Sequence, residues 1–235
     1  MTREPILIVD DTPLNLKLIR LLLAHEGYET RLAESAEEAL EALAGFRPCL
    51  ILADIQLPGM DGLEMTRRIK RDERTRDIPV IALTALASPG DEQRAIDAGC
   101  DGYITKPIDT RTLCSCIRGF LGDPVGDASS VARAESPHAL PQEEMEPLRR
   151  RFLEEGLDRA RRLSADLDGY FRPEEACKTA HEWVGTAGLL GFHGISRLAR
   201  ELEGVLGERP LDTGQLRNWL TALVAEFSRP AETAG

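Results

Sequence analysis

The chain has 235 residues and a mass of 25.9 kDa, a length that suits two domains better than one; with 42% hydrophobic, 29% charged and 5% aromatic residues it reads as ordinary globular protein, not disorder. The formal net charge is −11, with 15 Lys+Arg against 20 Asp+Glu in residues 1–122 and 14 against 20 in the remainder, so neither half offers the basic face that neutralises nucleic-acid phosphates. Five scattered cysteines without a CxxC pair indicate neither zinc nor a disulfide framework, and with no signal-peptide pattern and no run near ~20 apolar residues the chain is expected to be cytoplasmic and not membrane-bound.

Short apolar runs come first: ILIVD at 6–10, a weaker one around Glu29–Ala33, CLILAD at 49–54, PVIALTA at 79–85 and GYITKP at 102–107. Between them lie segments of helical period, such as Leu14, Leu18, Leu21 and Leu22, then Ala36, Ala39, Leu40 and Leu43, then Leu63, Met65 and Ile69. Alternating strands and helices predict an α/β fold, a parallel sheet covered on both faces, which explains strands that are apolar throughout. In such sheets ligand chemistry gathers at the carboxyl ends of the strands.

Those ends carry Asp10 and Asp11 after the first run, Asp54 after the third, Thr84 after the fourth and Lys106 after the fifth. Carboxylates to hold a hard divalent cation, one carboxylate as nucleophile, and a hydroxyl and an ammonium for phosphoryl oxygens make a set suited to phosphoryl transfer. Each residue singly has a plainer reading. Asp11 or Thr12 before Pro13 is a natural helix N-cap, and Lys106 before Pro107 would pass as a solvated turn lysine. Five coincidences at strand ends outweigh five plain readings.

The segments LIVDD, ILADIQLPGMDG, IALTA and GYITKP, in this order and spacing, resemble the signatures of response-regulator receiver domains, most closely those found singly or in hybrid kinases, such as the DivK type. The resemblance covers residues 5 to about 122 and implies a flavodoxin-like (βα)5 doubly wound sheet of order 2-1-3-4-5. It implies Asp54 as phosphoacceptor, with Asp10, Asp11, Asp54 and the backbone carbonyl of Gln56 around Mg²⁺. Thr84 and Lys106 would contact the phosphoryl group. Thr84 and Tyr103 would form the switch that couples phosphorylation to the surface, and the Lys106–Pro107 bond is often cis in relatives.

Residues 123–141, DPVGDASSVARAESPHALP, have no sustained apolar period and read as a flexible linker containing His138. Beyond it, helical period takes over near 142–169, 173–190, 193–207 and 212–228, predicting an all-α four-helix bundle over 142–230 whose first helix is interrupted near Gly156. In the second helix Ala176, Cys177, Ala180, Val184, Ala187 and Leu190 form an apolar stripe with His181 at its edge and Trp183 on the other flank. Gly185 and Gly188 follow on the side of His181. A helix-interior glycine costs about 1 kcal/mol relative to alanine, so two of them imply that something approaches the imidazole closely.

The stretch AHEWVGTAGLLGF resembles the phosphoacceptor helix of histidine phosphotransfer (HPt) domains, matching at His181, Gly185, Thr186, Ala187 and Gly191. Where that family has lysine this chain has Val184, which removes an ammonium from the neighbourhood of a phosphoimidazole; Lys178, one turn earlier, is the nearest replacement on the same helix. The two resemblances imply a phosphorelay protein. Its phosphodonor would be a histidine kinase or HPt protein, and its downstream partner another receiver or an effector. The competing reading is a phosphorylation-switched binding module whose bundle only docks or dimerises. No ATP-binding kinase domain fits in the remaining length.

Overall fold

Which apolar runs become central strands is decided by how many faces of each are covered. In the computed structural model, which describes residues 5–84, 89–108, 110–121, 142–207 and 210–229, the strands β1 (Ile6–Val9), β3 (Leu50–Asp54) and β4 (Val80–Thr84) are buried at every position. The strands β2 (Thr30–Ala33) and β5 (Gly102–Thr105) are buried at one position each, because they form the two edges of a five-stranded parallel sheet of order β2-β1-β3-β4-β5. That is the flavodoxin-like order, and the weak signal of β2 follows from its edge position.

The crossovers are α1 (Pro13–His25), α2 (Ala36–Leu43), α3 (Gly62–Arg71), α4 (Pro89–Ala98) and α5 (Thr110–Leu121). On one face of the sheet Leu7, Val9, Ile51, Ala53 and Val80 pack with Ala36, Ala39, Met65 and Ile69 of α2 and α3. Each buried leucine or isoleucine side chain contributes roughly 1.5–3 kcal/mol, so these layers hold the strand ends rigidly enough to build a site on them. Helix starts are fixed locally: Ser35 accepts from the amide of Glu38 at 3.1 Å, and Asp61 from that of Glu64 at 2.7 Å. At α1 the N-cap residue is Thr12, whose side chain makes no capping bond; Asp10 Oδ1 accepts from the Thr12 amide at 2.9 Å.

The chain divides into two units, Met1–Leu140 and Pro141–Gly235. The second contains, among the described residues, four helices: α6 (Gln142–Asp166), α7 (Pro173–Leu189), α8 (His193–Gly207) and α9 (Thr213–Phe227). Trp183, Phe152 and Phe227 meet at its centre, with ring centroids 5.1 Å apart for Trp183–Phe227 and 5.6 Å for Phe152–Phe227. The expected interruption at Gly156 does not occur. A Cβ on Gly156 would lie 2.2 Å from the Phe227 ring, so glycine is there to admit that ring against an unbroken α6. The segment 123–141 with His138 lies outside the described residues. No described helix is long and apolar enough to cross a membrane.

Candidate functional site

Strand register brings the carboxyl-end residues together as a staircase. Val9 is level with Ala53, Asp54 with Leu83, and Thr84 with Thr105. Asp10 therefore emerges beside Asp54, Thr84 one step above Asp54, and Lys106 one step above Thr84. The Lys106–Pro107 bond is cis.

Asp10, Asp54, Thr84 and Lys106 are all buried, and Lys106 is the largest fully buried side chain among the described residues. Its Nζ lies 2.5 Å from Asp54 Oδ2 and 3.9 Å from Asp10 Oδ2. The second oxygen of Asp54 accepts from the Gln56 amide at 3.0 Å, which fixes the plane of the carboxylate. Asp11 joins them at the half-buried rim: Asp10, Asp11 and Asp54 each offer an oxygen within 4.8 Å of the others, a spacing that a single cation could bridge. A Cβ at Gly62 would lie 2.0 Å from the Asp54 carbonyl oxygen, so glycine lets the loop after β3 fold back onto Asp54.

The electrostatics of this cluster are unbalanced. Burial pushes the Asp10 carboxyl up to about 6, the Asp54 charge adds to the rise, and Lys106, the Thr12 amide and Asn15 only partly offset it. Asn15 reaches both Asp10 oxygens, at 3.1 and 3.2 Å. Burial works against the Lys106 ammonium, but Asp54 and Asp10 outweigh it and hold its pKa above the ordinary lysine value. Three carboxylates against one ammonium is a donor set that a hard divalent cation completes, so these residues fit Mg²⁺. Tyr103 stands apart on the outer side of β5, 41% exposed, with its hydroxyl bonded to Glu92 of α4, whose carboxylate raises the phenol pKa.

The second unit places His181 on α7 facing α8. The residue is 9% exposed, and its Nδ1 lies 3.0 Å from Glu203 Oε1. A carboxylate can only accept, so Nδ1 carries a proton, and in the neutral imidazole Nε2 holds the lone pair. Nε2 is buried, as are Val184, Gly185 and Gly188. Lys178 is exposed. Asn15 and Glu203 escape a reading of the sequence. Asn15 had a local signal, five residues past Asp10 on the first turn of α1. Glu203 had none, because its role depends on how α8 packs against α7.

A doubly wound parallel sheet with clustered carboxylates and a buried lysine at one edge, joined to a helical bundle with a carboxylate-oriented histidine, defines a phosphoryl-accepting signalling protein. The family model of the response regulator receiver domain matches residues 6–118 and that of the Hpt domain residues 147–228. The polar-differentiation response regulator DivK of Brucella ovis is 48% identical over 123 residues, 52% of this chain and 99% of that protein. Chemotaxis response regulator CheY4 of Vibrio cholerae aligns with a TM-score of 0.49 at 27% identity, over 51% of this chain and 99% of that one. The receiver domain of a Pseudomonas aeruginosa sensor histidine kinase, described with a magnesium ion coordinated in its active site cleft, aligns with a TM-score of 0.48 at 34% identity, over 52% of this chain and 99% of that one. The chain belongs to the response-regulator receiver family and carries an Hpt domain behind its receiver, which makes it a two-component phosphorelay protein.

Proposed function

We propose that Asp54 is the phosphoacceptor and that His181 is a second station for the same group. The observation that carries the first assignment is the Asp54 carboxylate, oriented by the Gln56 amide, paired with Lys106 and surrounded by Asp10 and Asp11. Attack by a carboxylate oxygen on a phosphohistidine breaks its P–N bond, the imidazole leaving with the electron pair, and forms the P–O bond of an acyl phosphate. The Lys106 ammonium, released from Asp54 as that charge is spread over the new group, and the Thr84 hydroxyl hold two phosphoryl oxygens. Asp11, Asp54 and the Gln56 carbonyl, and more indirectly Asp10, would hold Mg²⁺, which when bound would neutralise the charge that otherwise keeps an anionic phosphoryl group from an anionic nucleophile.

Two-component partners follow from the domain pair, and we assign their order by chemistry: a histidine kinase or HPt protein donates to Asp54, and another receiver exchanges with His181 or an effector reads the Tyr103 face. At His181, Nε2 is the acceptor because Nδ1 is engaged by Glu203. Its burial requires side chains over it to rotate during transfer. Acetyl phosphate with Mg²⁺ should label the protein with an acid-stable, base-labile acyl phosphate that Asp54→Asn abolishes. Undiminished label on that variant sinks the assignment.

A further inference from the structure

Ser196, Arg200 and Glu203 follow one another on α8 at spacings of four and three residues and so share one side of that helix. The two outer members are tied to α7: Ser196 Oγ donates to the Val184 carbonyl at 2.7 Å, and Glu203 Oε1 meets His181 Nδ1 at 3.0 Å. Arg200 therefore leaves α8 between the levels of Val184 and His181. Its Nε and Nη2 are buried, and neither has a hydrogen-bond partner among the described residues. A guanidinium stays charged at any physiological pH, and folded proteins rarely bury its donors unsatisfied. When they do, an anion that is bound only part of the time is a sufficient cause.

We infer that Arg200 is the phosphoryl-binding cation of the His181 site: its unbonded Nε–H and Nη2–H, placed beside His181 and Glu203 by the packing of α8 on α7, receive two phosphoryl oxygens. This rests on the reading of His181 as an acceptor. In the step, the P–O bond of a receiver's acyl phosphate breaks, the carboxylate leaves with the electron pair, and a P–Nε2 bond forms. Nδ1 keeps its proton and the ring becomes cationic, balanced by Glu203, while the phosphoryl charge is balanced by Arg200. Val184 thus leaves no gap in the charge of the site; the cation arrives from the facing helix, as a fork of two donors instead of a single ammonium.

The test uses the full chain with Asp54→Asn, which silences its own receiver. Potassium phosphoramidate phosphorylates histidine directly, and ³¹P NMR against pH follows the product, with His181→Gln as the blank. Arg200→Met keeps the apolar stem and Arg200→Gln some hydrogen bonding. In both, the phosphoryl group should titrate about one pH unit higher than in the parent. Transfer from a phosphorylated receiver should fall about tenfold or more, and Val184→Lys added to Arg200→Met should restore much of both. Fluorescence of Trp183 and Trp219, the protein's two tryptophans, should show a helical unit that melts no earlier, since two buried donors without partners among the described residues have been removed; a residue that merely packs would give earlier melting and an unmoved titration. Equal titration and equal transfer with and without the guanidinium overturn the role of Arg200 and leave His181 standing. Label on His181 without transfer from any receiver overturns the phosphorelay role of the bundle, while the titration still decides Arg200. No label at His181 in any variant overturns both.

Discussion

Asp10 sits in an environment that opposes its own charge, and replacing it should stabilise the receiver unit. Its carboxyl titrates near 6 in the folded protein because it is buried and faces Asp54, against 3.8 for the ordinary group. Between those two values the folded chain holds a proton that the unfolded chain has released, so stability falls as pH rises from about 4 to 6, and the whole deficit is present above 6. Two units correspond to about 3 kcal/mol. Asp10→Asn removes the charge and keeps an oxygen for the Thr12 amide, but sets an amide NH₂ against Asn15, at a cost of about 1 kcal/mol. The net gain, about 1–2 kcal/mol, is a rise of roughly 3–8 °C in the melting temperature of a domain this size at pH 8 in EDTA. The rise should vanish near pH 4, and Mg²⁺ should raise the melting temperature of the parent more than that of the variant. Calorimetry of the full chain reads it, and fluorescence assigns the transitions, because Trp183 and Trp219 both lie in the helical unit. A variant that melts at or below the parent at pH 8, or keeps its advantage at pH 4, refutes the reasoning.

Asp11→Ala should weaken Mg²⁺ binding at least about tenfold by calorimetric titration, since it removes one of three clustered carboxylates; equal affinity would mean that Asp11 takes no part. Gly156→Ala should destabilise the helical unit by about 1–3 kcal/mol, because its Cβ runs into the Phe227 ring, and should leave labelling of Asp54 untouched. Denaturation followed by tryptophan fluorescence checks both magnitude and location.

What the sequence displays and what it hides follow from the range of the interactions. β1, β3 and β4 are legible because both faces of the sheet are covered and every residue must be apolar; β2 is faint because an edge strand has only Ala33 to bury. The receiver site is legible because each of its groups sits at a strand end, so local pattern alone places them on one edge. Gly156 misleads because the cost of a helix-interior glycine is local, whereas its reason, Phe227, comes from the far end of the unit. Glu203 and Arg200 stay hidden because α8 also carries Arg197 and Glu201, and only its packing on α7 selects which charges turn inward.

The two stations differ in what they lack, and the difference follows the chemistry of their nucleophiles. At Asp54 the proposed acceptor is one of three carboxylates set against one ammonium, so an incoming phosphoryl group would add negative charge to a site already in excess of it. A divalent cation is the economical remedy there, and the raised pKa of Asp10 is the sign of its demand. At His181 the proposed acceptor is an imidazole, Glu203 would balance the ring as it became cationic, and the surplus lies in donors, the buried Nε and Nη2 of Arg200. One site holds an excess of buried negative charge and the other two buried donors without partners among the described residues, each a cost to folding that no packing argument explains. On the proposed reading each would be relieved by what binds there, a metal ion in the first case and a phosphoryl group in the second, which accounts for local rules of burial failing at these residues and holding around them.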